Sequence, residues 1–303
     1  MRRLRSAHRR YERSVNQAAG WGLGTADEVI GEELSGLAAL VVMTDWETTR
    51  GTIDHARSQG ALIVGRVEGA QDFGDADTGK DRRPYRYVDI VLCQGANDAA
   101  ALADTTSVVV GNSRLQSILD GPVNTTRSGP IVVNSNFSYD VLSDAQGPWL
   151  DDVLASCRSS GLPFVVSRHP ADRGSIPRRH LTSVPAEELL WTAPMLITRF
   201  SSLGFESLAR GVPVVYHNPH NEQTAPFDDL APGVAASLAM TTDRPSLQAA
   251  IRSFSSDAIS AATVRERGLV ILDRQIDRGE RLPHERAADA IVEHLQTSGA
   301  QQP

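Results

Sequence analysis

Two short segments of this 303-residue chain carry side chains whose type and spacing suit chemistry on a phosphorylated ligand. In the first, Leu196 to His220, an apolar burst delivers Ser201 and Ser202 to the start of a helical pattern, with Gly204 and Glu206 just beyond. Free backbone N–H groups and the helix dipole favour phosphate oxygens at such a start, and two hydroxyls add donors. Gly204 permits close approach of a ligand, and Glu206, one turn on, is placed to accept from ribose hydroxyls. The same residues also suit a helix-capping box with Ser201 or Ser202 as the cap. The second segment is Arg168-His169-Pro170, at the end of the apolar run Phe164–Ser167. A histidine there can donate to a phosphate or protonate a leaving group near neutral pH; a surface histidine in a turn is the alternative. Arg168 and Arg199 can add positive charge for the phosphates.

Positioning these groups requires a frame of strands and helices. Apolar β-branched bursts alternate with longer helical patterns, the signature of a parallel sheet covered by helices. Strands are expected at Leu37–Met43, Ala61–Val67, Val88–Cys93 and Ser107–Val110. A second series follows at Ile131–Asn134, Phe164–Ser167, Met195–Thr198 and Pro213–Tyr216, with helices between and a mostly helical C-terminal stretch. Residues Leu119 to Pro130 lack an apolar period and are rich in Gly, Pro, Ser and Thr, so they read as a linker. The fold class is therefore α/β with two Rossmann-like domains, and ligands are expected at the carboxyl ends of the strands, in the cleft. The division is a basic helical extension over 1–36, a shortened first domain over 37–125, and a second domain over 126–303 that includes the C-terminal helices.

The stretch Ser201, Ser202, Glu206, Ser207, Leu208, Gly211, Pro213, Val214 and Val215 resembles the nucleotide-binding segment of GT-B-fold glycosyltransferases and their relatives. In that superfamily the paired hydroxyls hold donor phosphates and the glutamate holds the ribose. The order of His169-Pro170 about 30 residues before Ser201-Ser202 is similar to bacterial sialyltransferases, Kdo transferases and CDP-glycerol glycerophosphotransferases, which use cytidine nucleotides. The resemblance implies a CMP-, CDP- or UDP-linked donor, with the cytidine forms slightly favoured, and no separate cofactor. It implies an acidic base in a loop of the first domain, for which Asp72 in Gln71-Asp72-Phe73 is the candidate and Glu68 the reserve. A carboxylate on a solvated loop is the alternative. It also places Asn134-Ser135-Asn136 at the cleft, where Asn136 or Ser135 can touch the phosphates; a plain Asx turn explains them equally. The function implied is transfer of a sugar or polyol phosphate to a carbohydrate or lipid-linked acceptor in cell-envelope polysaccharide synthesis. A UDP-N-acetylglucosamine 2-epimerase relative and a catalytically silent nucleotide-binding protein are the alternatives.

Charge bounds the partners. The net charge of −7 disfavours a nucleic-acid binder, which must neutralise many phosphates. Six arginines against one glutamate nevertheless make the first thirteen residues basic, a segment suited to peripheral contact with an anionic membrane or to plain solvation. The longest clean apolar run, Leu37–Met43, is far short of the roughly 20 residues a spanning helix needs. With two cysteines in apolar segments and no secretory leader, a cytoplasmic location is expected, and membrane association through the basic segment is the alternative to a solvated or packed extension. Three further signals are set aside. Asp75-Ala76-Asp77 follows no apolar strand, Gly20-Trp21-Gly22-Leu23-Gly24 lacks the strand a dinucleotide fingerprint requires, and His217 with His220 lacks a third ligand at a metal spacing. No metal site is expected.

Overall fold

The computed structural model describes residues 37–45, 47–67, 85–124, 126–137, 142–169, 172–222, 237–256 and 259–299. Among them nine strands form two separate, wholly parallel sheets. The first holds β1 (Ala39–Val42), β2 (Leu62–Arg66), β3 (Ile90–Cys93) and β4 (Ser107–Val109), side by side in chain order. The second holds β5 (Ile131–Ser135), β6 (Phe164–Arg168), β7 (Leu196–Thr198), β8 (Val214–His217) and β9 (Leu238–Thr241), in the order β6-β5-β7-β8-β9. Parallel strands need helical crossovers, which cover both faces of a sheet, and this explains why the strands are continuous Val, Ile and Leu runs.

Alternation along each strand distributes the core. In the second sheet Val132, Leu196, Val214 and Tyr216 face the helices Leu203–Ala209 and Ala261–Gln275, packing on Phe205, Leu208, Ile271 and Leu272. Ile131, Val133, Ile197 and Val215 face the helices Gln146–Ser160 and Arg244–Ser256, packing on Trp149, Val153, Leu247 and Ile251. Gly211 ends the Leu203–Ala209 turn at φ +77°, and a Cβ there would lie 2.3 Å from the Ala261 carbonyl oxygen, so only glycine fits. In the first sheet Ile63 packs on Ile53 and Ala56 of the helix Glu47–Ser58. Cys93 and Cys157 lie in different cores, and burial pushes each thiol up to about 12, which keeps them neutral and unreactive.

The strands expected from apolar bursts are all present, and among the described strands and α-helices β9 and the helix Ser113–Asp120 are additions. The last helix, Pro283–Gly299, was grouped with the second half on sequence. It instead covers the first sheet, where Ala287, Ala290, Ile291 and Leu295 pack on Leu62, Val64, Ile90 and Leu92. The chain crosses back just after Gln275: the Asp277 N–H donates to the Gln94 carbonyl at 2.8 Å, and a Cβ on Gly95 would sit 2.5 Å from Gln275 backbone atoms. An amphipathic period marks a helix face but not the sheet it covers. The 1–36 extension lies outside the described residues. No helix among those described is long and apolar enough to cross a membrane.

Candidate functional site

The order β6-β5-β7-β8-β9 reverses direction between β5 and β7, and open α/β sheets bind ligands outside the carboxyl ends of the strands at such a switch point. Here Asn134 and Thr198 are register partners, and the Asn134 amide donates to the Thr198 hydroxyl at 3.1 Å. A cleft of about 740 Å³ opens directly beyond them. The second sheet contributes Asn134, Arg168, His169, Ser201, Ser202 and Glu206. The first contributes Arg66, Val67, Gln94 and Asn112 from its own carboxyl ends.

His169 leaves β6 with its backbone N–H donating to the Ser135 carbonyl at 2.9 Å. Its carbonyl accepts from Asp172 N at 2.9 Å, closing a turn over a buried carboxylate. That carboxylate accepts from Ser135 Oγ at 2.6 Å, Gln146 Nε2 at 2.7 Å and Gly174 N at 2.8 Å. Burial lowers the His169 imidazole below its ordinary pKa, against the opposing pull of the Asp172 charge, so the neutral ring is favoured at neutral pH. Arg168 stands exposed at the cleft, and among the described residues it has no ion-pair partner; the same holds for Arg66 across the cleft.

Ser201 and Ser202 both line the cleft where β7 passes into the helix Leu203–Ala209. The capping box is not built: Glu206 stands four residues beyond Ser202 where the box needs three, Ser202 makes no side-chain cap bond, and the Glu206 carboxylate turns to Arg114. Ser201 Oγ accepts from Leu203 N at 3.3 Å. Glu206 is gripped on both oxygens, by Arg114 Nε at 2.9 Å and Nη2 at 3.0 Å. Arg114 comes from the helix Ser113–Asp120, beside the stretch read as a linker, and sequence reasoning missed it. A signal was present, since Leu115, Ile118 and Leu119 follow Asn112 at helical spacing, and Asn112 caps the helix through Leu115 N at 3.0 Å.

Four expected ligand contacts, Arg199, Asn136, Ser135 and Gly204, do not line the cleft. Arg199 is buried and ion-paired with Glu222, its Nη1 donating to the Asn136 carbonyl at 2.8 Å and its charge 5.2 Å from the Phe137 ring. Glu222 also accepts from the Tyr216 hydroxyl at 3.2 Å, so this pair is an interior strut under the serine loop. The Asn136 amide donates to the Phe200 carbonyl at 2.8 Å, and Ser135 is committed to Asp172. Gly204 is buried against Val214, 3.9 Å from where its Cβ would lie. Asn134, Ser201, Ser202, Arg168, His169 and Glu206 remain as one constellation. Asp72 and Glu68 lie outside the described residues. His217 is fully buried with Nδ1 2.9 Å from Thr241 Oγ1, and the described residues hold no group of metal-ligating side chains.

No protein-family model matches the chain, and no curated protein matches it in sequence. Solved structures match in fold. A putative UDP-N-acetylglucosamine 2-epimerase from Listeria monocytogenes superposes at TM-score 0.58 with 15% identity, over 86% of this chain and 74% of that one. MnaA from S. aureus, in a co-structure with UDP, gives 0.57 at 13% identity over the same shares. The Methanocaldococcus jannaschii UDP-GlcNAc 2-epimerase, in complex with UDP-GlcNAc and UDP, gives 0.51 at 10% identity, over 78% of this chain and 75% of that one. The fold is GT-B-like, with two Rossmann-type halves facing each other across a cleft, as the motif resemblance implied.

Proposed function

We propose that this protein is a glycosyltransferase-like enzyme that takes a nucleotide-activated sugar or polyol phosphate and moves the group to a carbohydrate or lipid-linked hydroxyl in cell-envelope polysaccharide synthesis. The observation that carries the reading is the meeting of the His169 and Ser201-Ser202 segments in one cleft at the switch point of the second sheet. Ser201, Ser202 and Arg168 hold the donor phosphates, Asn134 bounds them, and Glu206 accepts from the ribose diol. Arg66, Arg114 and Arg168 outnumber Glu187 and Glu206 along the cleft wall, which suits the negative charge that develops on a leaving phosphate. The neutral His169 imidazole donates a hydrogen bond to that leaving group, and Asp72 takes the acceptor's proton as the new bond forms. In this reading residues 37–125 form the acceptor side and the second sheet with its helices the donor side.

A thermal-shift panel of CMP, CDP, UMP, UDP and their sugar conjugates tests the site. A cytidine nucleotide should raise Tm more than its uridine counterpart, and Ser201→Ala with Ser202→Ala should abolish the shift. A shift that survives the double change removes the site assignment. Asp72→Asn should bind donor yet fail to transfer; full transfer activity in it would remove Asp72 as the base.

A second reading, a sugar-nucleotide 2-epimerase, is favoured by the UDP-GlcNAc 2-epimerase structures that share the fold. It predicts a preference for UDP and the appearance of a C2 epimer from UDP-GlcNAc with no acceptor present.

A further inference from the structure

Arg114 is not marked by any motif, yet its guanidinium is the described partner of the Glu206 carboxylate. The contact is a fork: Nε to one oxygen at 2.9 Å and Nη2 to the other at 3.0 Å. Such planar pairing fixes orientation as well as charge, and lysine cannot reproduce it. The pair sits on a rigid base. Leu115, Ile118 and Leu119 bury one face of the Arg114 helix in the core of the second sheet. Arg265 caps the other end, its Nη1 donating to the Leu119 and Gly121 carbonyls at 3.1 and 2.9 Å.

The fork uses only part of the guanidinium. A guanidinium has five N–H donors, and Nη1 of Arg114 finds no partner among the described residues, while the nearest other carboxylate oxygen, on Glu187, is 4.0 Å from Nη2. The side chain lines the cleft and is 43% exposed. Glu206, at 13%, is the more enclosed partner, so the carboxylate is held and the guanidinium keeps an open edge.

We propose that Arg114 is a specificity-determining residue of this cleft: one edge of its guanidinium sets the Glu206 carboxylate toward a vicinal diol, and the other takes an oxygen of the phosphate attached to that sugar. This rests on the nucleotide reading above and extends it. The ligand selected is a ribonucleoside phosphate, as opposed to a deoxynucleotide or a free nucleoside, because each half of the recognition depends on the same side chain.

The test is calorimetric titration of the full chain with CDP, 2′-deoxy-CDP and cytidine, alongside UDP, 2′-deoxy-UDP and uridine. Wild type should prefer the ribo to the deoxy diphosphate, and the diphosphate to the nucleoside, each by roughly tenfold or more. Arg114→Gln should lose both preferences together. Arg114→Lys should keep the phosphate preference, through its charge, and lose the ribo preference, through the missing fork. A merely structural role would weaken all ligands in proportion and leave the ratios alone. Unchanged ratios in Arg114→Gln, or equal binding of ribo and deoxy forms by wild type, overturn the proposal. If Ser201→Ala with Ser202→Ala still weakens CDP in that case, the nucleotide reading stands without it. Wild type that binds none of the six compounds overturns both.

Discussion

Replacing Asp172 by Asn tests how the His169 turn is held. The carboxylate is 3% exposed, with Ser135 Oγ at 2.6 Å, Phe137 N at 3.3 Å and Gln146 Nε2 at 3.0 Å on Oδ2. On Oδ1 it has Gln146 Nε2 at 2.7 Å and Gly174 N at 2.8 Å. An asparagine keeps the volume but offers one acceptor oxygen and two donors. If its NH₂ replaces Oδ2, Phe137 N loses an acceptor and the Ser135 hydroxyl must turn round. If it replaces Oδ1, Gly174 N is orphaned and Gln146 must flip its amide. Either way one backbone N–H is left unpaired, a buried one at Phe137 or a half-buried one at Gly174, at about 1–3 kcal/mol, and the remaining bonds lose their charge assistance, so about 2–4 kcal/mol in all is expected. Urea unfolding followed by tryptophan emission, to which Trp149, fully buried in the core that holds Phe137, contributes, reads the change. Because Asp172 N donates to the His169 carbonyl, nucleotide affinity should fall as well. A loss below about 0.5 kcal/mol, the scale of a surface substitution, refutes this account of the turn.

Three further outcomes follow from the same geometry. Glu222→Gln leaves the buried Arg199 charge unpaired and should cost about 3–5 kcal/mol in urea unfolding, whereas replacing both residues by apolar ones of similar volume should recover most of it. Gly95→Ala puts a methyl group 2.5 Å from the Gln275 backbone and should destabilise by about 1–3 kcal/mol; a neutral result means the crossing segment gives way. Burial raises the Asp98 carboxyl from 3.8 to about 6, so its contribution to stability is full below pH 3.8 and is lost as pH rises through 6. Burial lowers the His217 imidazole from 6.5 to about 4, so its contribution is full above pH 6.5 and is lost as pH falls through 4. Between pH 4 and 6 the two oppose each other. Asp98→Asn should therefore lose stability more steeply on acidification than wild type, and His217→Gln less steeply; parallel profiles for all three proteins contradict both assignments.

What the sequence could disclose about this molecule follows from where each piece of information resides. Strands buried on both faces must be continuous apolar runs, so Ile131–Ser135 and Val214–His217 were legible from composition alone. The meeting of His169 with Ser201 and Ser202 was legible too, because both segments end strands of one parallel sheet and parallel strands share a carboxyl edge. Arginines were not legible in this way. Arg168, Arg199 and Arg114 look alike as cations near the site, yet one faces the cleft, one is an interior strut and one grips Glu206. Their fates are decided by carboxylates 23 and 92 residues further along the chain, Glu222 for Arg199 and Glu206 for Arg114, and no local period carries that information. The edge strand Leu238–Thr241 was missed because its apolar run, Leu238-Ala239-Met240, is only three residues long and holds no β-branched side chain. The division of labour is physical: apolar pattern sets which strand ends converge, and ion pairing between distant residues decides which of the charges there stay open to a ligand. A phosphate-binding role assigned to an arginine by proximity in sequence therefore requires that its nearest buried carboxylate be identified first, and in this fold that criterion separates Arg168 from Arg199.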